Sequence, residues 1–388
     1  MAGQLRGRNR RLKRIPYSRQ CIDQDDIDAV VEVLKSDFLT QGSKVPEFEA
    51  AVTQYVGAKY GIAVSSGTAA LHVACLALEI GPGDRVWTSP ISFVASANAA
   101  LYCGAEVDFV DIDPDTFNMS VSCLAAKLYE AARVGTLPKA LIVVHMAGAS
   151  ADMQQIAALA ASYDIAIIED AAHALGGHYQ GRPVGCCQYS VITCFSFHPV
   201  KSITSGEGGM AMTNCPQLAE RMQLFRSHGI TRDRQKMNRD DGPWYYEQQV
   251  LGFNYRMSDI HAALGISQLR KLDGFISKRI ALASQYRDAL VDLPLCLPVF
   301  SADSAWHLYV IRVKSATRRE LLYQHLKRQG IDVNVHYIPV AVQPFYAIGA
   351  DVPNAENHYS AALSLPLFAE LSDDAMERII GCLTRFDW

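Results

Sequence analysis

Ile27, Val30, Val31 and Leu34 recur at i, i+3, i+4 and i+7, the spacing of one helical face, and predict an amphipathic helix over 25–36 with Asp23 as its cap. Between about residues 60 and 215 the pattern changes. Short β-rich runs at 61–64, 85–88, 107–110, 141–144, 165–168 and 191–194 alternate with Ala- and Leu-rich stretches of helical period. That alternation predicts an α/β fold around a mostly parallel central sheet. Residues 218–229 read as a helix closed by Gly229, and 230–250 are polar and aromatic without a period, as in a long functional loop or a surface insert. Met257 to Leu290 holds few breakers and predicts one long helix, kinked near Gly274, that leads into a second unit. Beyond Pro298, a strand over 305–313, a helix over 318–329 and a strand over 332–337 predict a small α+β domain. The expected division is a basic tail over 1–14, a large α/β domain over 15–280 and a smaller C-terminal α+β domain over 281–388.

Length and composition agree with that division. At roughly 150 residues per domain, 388 residues suggest two, and 49% hydrophobic against 20% charged residues describes a packed chain rather than a disordered one. No apolar run approaches the roughly 18 residues needed to cross a bilayer, since the run at 140–144 ends at His145. Lys and Arg number 36 against 40 Asp and Glu, and six of the cations (Arg6, Arg8, Arg10, Arg11, Lys13, Arg14) fall in the first fourteen residues. That leaves 30 basic against 40 acidic residues in the rest, a net −10 that argues against a nucleic-acid surface. The tail lacks the apolar stretch of a secretory signal and reads either as a solvated extension or as a targeting or docking segment. The ten cysteines lie mainly in apolar stretches, with no CxxC pair and no zinc-like spacing. They read as buried, reduced thiols of a cytoplasmic protein without a metal site, and a bridge between the adjacent Cys186 and Cys187 would be strained.

Three segments carry candidate chemistry. Ser65-Ser66-Gly67-Thr68 opens a helix directly after a strand, where free N–H groups and the positive end of the helix dipole suit a phosphate; an ordinary N-cap turn is the other reading. Glu169-Asp170 ends a strand and is followed by Ala171-Ala172-His173. An aspartate there can keep a buried pyridine nitrogen protonated or cap a helix, and His173 can orient it, lie over a cofactor or fill the core. Lys201 follows Phe195-Ser196-Phe197-His198 and leads into Ser202-Ile-Thr-Ser-Gly206, a loop that suits an imine-forming amine or a solvated surface lysine. Gly206-Glu-Gly208-Gly-Met-Ala211 formally fits a dinucleotide fingerprint, but it leads into a β-like run rather than a helix and is rejected. Phosphate turn, acidic strand end and lysine loop are, in that order, the parts that pyridoxal 5'-phosphate requires.

With those segments in order, the chain resembles the DegT/DnrJ/EryC1/StrS family of pyridoxal phosphate-dependent sugar aminotransferases, which have the fold-type I transferase fold. The matching stretches are SSGTAALH (65–72), SPISFVASANA (89–99), EDAAHALG (169–176), SFHPVKSITSGEGG (196–209), RSHGI (226–230), GFNYRMSDIHAALG (252–265) and VHYIP (335–339). The resemblance implies that Lys201 bonds the cofactor and shuttles protons, that Asp170 holds the ring nitrogen, that Phe93 stacks on the ring and that His173 lies beside it. It implies that Gly67, Thr68 and Ser196 bind the phosphate, and that Asn254 reaches it from the other subunit of a homodimer with shared active sites. Within the family the likeness is greatest to the branch that aminates C4 of a UDP-linked 4-keto-6-deoxy-N-acetylhexose from L-glutamate, on the route to pseudaminic acid. Residues 16–20, 37–42, 243–248 and 335–338 carry that likeness. Tyr17, Asp37, Phe38, Leu39, Thr40, Val335, His336, Tyr337 and Ile338 would then line the nucleotide-sugar site, ordinary packing being the other reading. Arg226 and Arg256 are candidates for the glutamate carboxylates. Other outcomes are amination of another nucleotide-linked keto sugar, a related sugar 3-dehydratase, whose branch has histidine where Lys201 stands, and a non-enzymatic cofactor-binding regulator.

Overall fold

The computed structural model describes residues 14–346 and 349–388, so the basic tail, apart from Arg14, lies outside the described residues. Seven strands form the main sheet: β1 (Tyr60–Val64), β2 (Arg85–Thr88), β3 (Glu106–Phe109), β4 (Ala140–Val144), β5 (Ala166–Asp170), β6 (Ile192–Ser196) and β7 (Gly209–Thr213). Their spatial order is β1-β7-β6-β5-β4-β2-β3. The β2–β3, β2–β4, β4–β5 and β5–β6 pairs are parallel, and β7 alone runs against both of its neighbours. The expectation of a mostly parallel α/β sheet holds.

Helices α1 (Gln24–Leu34) and α2 (Lys44–Val56) precede the sheet, and α3 (Gly67–Ala77), α4 (Ala95–Tyr102), α5 (Val121–Val134), α6 (Met153–Ala161) and α7 (Pro216–Arg226) follow its strands. After them come α8 (Asp259–Leu269), α9 (Leu272–Leu290), α10 (Ala316–Arg328), α11 (Pro353–Ala361) and α12 (Asp373–Thr384). Strand β4 shows why its sequence is apolar throughout. Ala140 and Ile142 face a core shared with α3 and α4, while Leu141 and Val143 face a second core with α5 and α6, so both sides are dry. Each fully buried Leu or Ile side chain contributes roughly 1.5–3 kcal/mol. Helix α3 is built largely of small apolar residues and is buried on nearly every side, which lets it lie close beneath the sheet.

A separate core gathers α9, α10, α12 and a two-stranded antiparallel sheet, β8 (Tyr309–Arg312) with β9 (Ala362–Leu365). Ile15 packs into this core too, because its backbone bonds Gly330 and Asp332. Helix α9 starts in the sheet-side core at Leu272 and ends in the second core at Leu290.

The predicted first helix is present, with a capping box between Asp23 and Asp26. The single long helix kinked near Gly274 is not. Two helices meet at Arg270–Lys271 and Gly274 lies inside α9. The break is anchored by Lys271, whose ammonium contacts Asp23 at 2.7 Å and Asp26 at 2.6 Å. The predicted strand at 305–313 shrinks to 309–312, because the carbonyls of Trp306 and His307 accept from the buried Arg279 instead of a neighbouring strand. The predicted strand at 332–337 does not form a ladder: Asp332 bonds Ile15 while Asn334 bonds Ser364, so the segment changes partner after two residues. The 230–250 loop is closed by a short pairing of Ile230–Thr231 with Glu247–Gln248.

Candidate active site

The carboxyl ends of β1, β5 and β6 open on one edge of the sheet, where α/β folds hold ligands. Ser66 caps α3, its Oγ accepting from Ala69 N–H at 3.1 Å. The amides of Gly67 and Thr68 lie in the first helical turn, where no earlier carbonyl of the helix can reach them. A Cβ on Gly67 would sit 2.8 Å from Ser196 Cβ, and one on Gly209 would sit 2.3 Å from the Ser66 carbonyl oxygen. Glycine at both positions therefore lets the helix start press against the ends of β6 and β7, bringing Gly67, Thr68 and Ser196 into one cradle of donors suited to an anion.

Asp170 is the last residue of β5 and is buried. Its Oδ2 accepts from Ser96 Oγ at 2.6 Å and its Oδ1 from Ala172 N–H at 3.2 Å. The preceding Glu169 points to the other side and is also buried, accepting from His145 Nε2 at 2.6 Å, Ser190 Oγ at 2.5 Å and Thr193 Oγ1 at 3.0 Å. His145 Nδ1 accepts from Ala151 N–H, so the ring proton is on Nε2. Burial pushes the Glu169 carboxyl up, but the His145, Ser190 and Thr193 donors outweigh it and the net shift is down.

Lys201 lies on the loop after β6, half-buried, with its N–H bonded to the His198 carbonyl. Burial pulls its ammonium pKa down to about 8, against the opposing pull of the Asp170 carboxylate. His173 is held well below the usual imidazole range, first by burial and then by the charges of Lys201 and His336. His336 falls to about 4 for the same reasons, burial first and then Lys201.

The structure therefore brings Lys201, Asp170, His173 and His336 into one electrostatic neighbourhood. Tyr337 joins it, its hydroxyl 3.2 Å from His173 Nε2 and its phenol pKa raised by burial and then by Asp170 and Tyr17. The Tyr17 ring lies 5.6 Å from that of His336, and Ser18 Oγ bonds the Val200 carbonyl beside Lys201. Phe93 is 60% exposed at the mouth of the same edge, on the turn before α4. Val335 packs against the second core, whereas Ile338 is exposed. The Asp37, Phe38, Leu39 and Thr40 side chains are exposed, and the segment is tied to the start of α8: Asp259 N–H bonds the Leu39 carbonyl, and Thr40 pairs with Ser258. Asn254 is exposed on a segment whose neighbour Tyr255 accepts from Ser65 N–H.

Arg226 is otherwise engaged. Its guanidinium pairs with Glu49 at 2.5 Å and bonds the Ala63 carbonyl, which leaves Arg256 as the candidate for a substrate carboxylate. The sequence reading missed Ser92, Ser96, His145 and His307. The His307 ring lies 4.3 Å from that of His173, tilted by 37°, and the Nδ1 atoms of both are buried without a hydrogen-bond partner among the described residues. The two serines carried a signal, an i, i+4 spacing in 92–96, that only becomes meaningful once α4 is placed beside β5.

An amine of depressed basicity, a carboxylate at a strand end and a glycine-lined anion cradle are together the parts that a pyridoxal phosphate enzyme of the fold-type I class would use. The DegT/DnrJ/EryC1/StrS aminotransferase family model matches residues 20–384, and the chain belongs to that family. Spore coat polysaccharide biosynthesis protein SpsC of Bacillus subtilis is 38% identical over 94% of this chain and 95% of its own length. Among solved structures, PseC of Helicobacter pylori, an aminotransferase involved in the biosynthesis of pseudaminic acid, superposes with a TM-score of 0.89. It shares 33% identity over 96% of this chain and 99% of its own. A sugar aminotransferase of Streptococcus pneumoniae, Spr1654, in its pyridoxamine phosphate form superposes with a TM-score of 0.87 at 30% identity, over 96% of this chain and 97% of its own. The protein is a sugar aminotransferase that uses pyridoxal 5'-phosphate and takes a sugar substrate and an amino donor. Among the described residues, no helix is long and apolar enough to cross a membrane.

Proposed function

We propose that the enzyme transfers the amino group of L-glutamate to C4 of a UDP-linked 4-keto-6-deoxy-N-acetylhexose of the pseudaminic acid route, and that it works as a homodimer with shared active sites. The observation that carries the chemistry is Lys201, whose ammonium pKa of about 8 makes a neutral amine available near physiological pH beside the Asp170 carboxylate. The substrate assignment rests on the likeness to PseC over nearly the whole chain and on Tyr17 and Tyr337 lying against His336 and His173, the two imidazoles that feel the charge of that lysine.

When bound, pyridoxal 5'-phosphate supplies an aldehyde to accept the donor's nitrogen and an electron-withdrawing ring to stabilise negative charge at the reacting carbon. Lys201 Nζ would hold the cofactor's aldehyde, and as a neutral amine it would move the proton at the donor's α-carbon and at C4 of the sugar. Asp170 keeps the proton on the ring nitrogen, and Phe93 offers a flat apolar face to the ring. Gly67, Thr68 and Ser196 take the phosphate, joined by Asn254 of the second copy. Arg256 takes a glutamate carboxylate. His173, neutral and bonded to Tyr337, fixes the side of the site nearest the small C-terminal unit, while residues 37–40 and 335–338 hold the nucleotide sugar.

The likeness to SpsC supports a second reading, amination of a different nucleotide-linked keto sugar. Purified holoenzyme with glutamate should be offered UDP- and dTDP-linked 4-keto-6-deoxyhexoses and the product identified by mass spectrometry and NMR. Amination at C4 of the UDP-N-acetyl sugar of L-arabino configuration is expected. Turnover confined to other nucleotide sugars would overturn the first reading in favour of the second.

A further inference from the structure

Ser92, on the turn before α4, and Ser96, in the first turn of α4, are both almost fully buried, at 4% and 1% exposure. Their hydroxyl oxygens are 2.6 Å apart, and Ser96 Oγ is 2.6 Å from Asp170 Oδ2. Hydrogen-bond arithmetic fixes the direction of this chain. An ionised carboxylate only accepts, so Ser96 must give its single proton to Asp170, the alternative acceptor, the Phe93 carbonyl, being distant at 3.4 Å. Ser96 Oγ can then only accept from Ser92. The same Ser96 also donates its backbone N–H to the Phe93 carbonyl at 3.3 Å. One residue therefore holds both the carboxylate at the end of β5 and the turn that carries Phe93.

We propose that Ser92 and Ser96 form a directed hydroxyl relay that positions Asp170 against the cofactor's ring nitrogen and sets the height of Phe93 above the ring. This rests on the reading of Asp170 as the nitrogen's partner. The physical case is that Asp170, held otherwise only by the 3.2 Å bond from Ala172 N–H to Oδ1, could still rotate about its last two torsions and carry its acceptor oxygens out of place. Two almost fully buried hydroxyls in series restrict that freedom, and each bond polarises the next. The two serines act through Asp170 and are therefore positioning residues.

The test uses the holoenzyme with Ser92→Ala, Ser96→Ala, the double variant, the isosteric Ser96→Cys, and Asp170→Asn as reference. Three quantities are read: the single-turnover rate with glutamate, the pH dependence of the bound cofactor's absorption band, and the dissociation constant for cofactor added to apoprotein. Ser96→Ala should slow the half-reaction about tenfold or more, shift the absorption titration in the same direction as Asp170→Asn, and weaken cofactor binding. Ser92→Ala should slow it about threefold. The double variant should be no slower than Ser96→Ala alone, because the second hydroxyl acts only through the first. If Ser96→Ala fails to fold, Ser96→Cys and Ser92→Ala still carry the comparison, with intermediate effects expected. Additive losses in the double variant, or an unchanged absorption titration in Ser96→Ala while Asp170→Asn is crippled, would overturn the relay. Near-normal turnover and spectrum in Asp170→Asn would instead overturn the underlying reading of Asp170, and the relay with it.

Discussion

The Tyr337 hydroxyl lies 3.2 Å from Nε2 of His173, joining a residue of the C-terminal unit to one just past the end of β5. It is the only hydrogen bond that the His173 ring makes among the described residues, since Nδ1 is buried without a partner. Replacing Tyr337 with Phe leaves the ring neither held nor compensated. The variant should fold with a loss of ~1–3 kcal/mol, the cost of one unsatisfied buried polar group, and its turnover with the keto sugar should fall about tenfold. Denaturant titration and steady-state kinetics check the two halves separately; unchanged kinetics with reduced stability would make the contact purely structural.

Lys201 gives a pH dependence with a defined sign. Its ammonium pKa is about 8 in the folded protein against 10.5 for a free side chain. The rate at which apoprotein captures cofactor should rise through a midpoint near pH 8 and then level off, instead of rising toward 10.5. Between those two values the unfolded chain holds a proton that the folded chain has lost, so apoprotein stability should increase with pH across that window. Stopped-flow absorbance and thermal melts from pH 7 to pH 10 measure both.

At the phosphate cradle the limiting feature is space. In Gly67→Ala the new Cβ at the start of α3 would lie 2.8 Å from that of Ser196, whose backbone the sheet holds in place at the end of β6. The helix start must move away from β6, which opens the cradle. Cofactor affinity should fall at least tenfold while the far end of α3 keeps its packing, so the melting temperature of the apoprotein should change much less than that of the holoprotein. Equal losses in both would show that the glycine serves packing alone.

Much of this was legible in the sequence, and the part that was not has a common cause. The strands at 85–88 and 141–144 were recoverable because their apolar runs are bounded by clear breaks, and so was the placement of Gly67, Asp170 and Lys201 at or after the ends of strands. Helix ends set by distant side chains were not: the break between α8 and α9 depends on Lys271 meeting Asp23 and Asp26, some 245 residues away in the chain. The failed strand at 332–337 likewise depends on Ile15 and Ser364 competing for its edge. The buried partners of the site were not assignable from local pattern: His145 meets Glu169 only because the sheet order sets the end of β4 beside β5, and Ser96 meets Asp170 only because α4 packs over the end of that strand.

Arg226 shows the opposite case, a residue in a family-like motif whose geometry points to structure. Its ion pair with Glu49 is mostly buried, at 17% and 16% side-chain exposure, and both partners also bond the backbone of Ala63. Arg226→Met would leave Glu49 without its cation and should cost ~3 kcal/mol in stability, with the KM for glutamate unchanged in the folded enzyme. Arg256→Ala should do the reverse, raising that KM about tenfold or more at little cost in stability. Chemical unfolding together with glutamate titrations separates the two arginines.

The shared-site reading is tested by combining two defective chains. Asn254 is exposed in the single chain, next to the segment that bonds the phosphate turn, where a second copy could meet it. If each site draws Lys201 from one copy and Asn254 from the other, a mixed dimer of Lys201→Ala with Asn254→Ala has one site with both defects and one with neither. Each variant alone should be nearly inactive, and after refolding together the mixture should recover up to about a quarter of wild-type activity, because half of randomly paired dimers are mixed and each has one intact site. Size exclusion with differently tagged chains establishes that exchange has occurred. Mixed dimers that form and stay inactive would place Asn254 and Lys201 of the same copy in one site, and the enzyme would then have no need of its partner for catalysis.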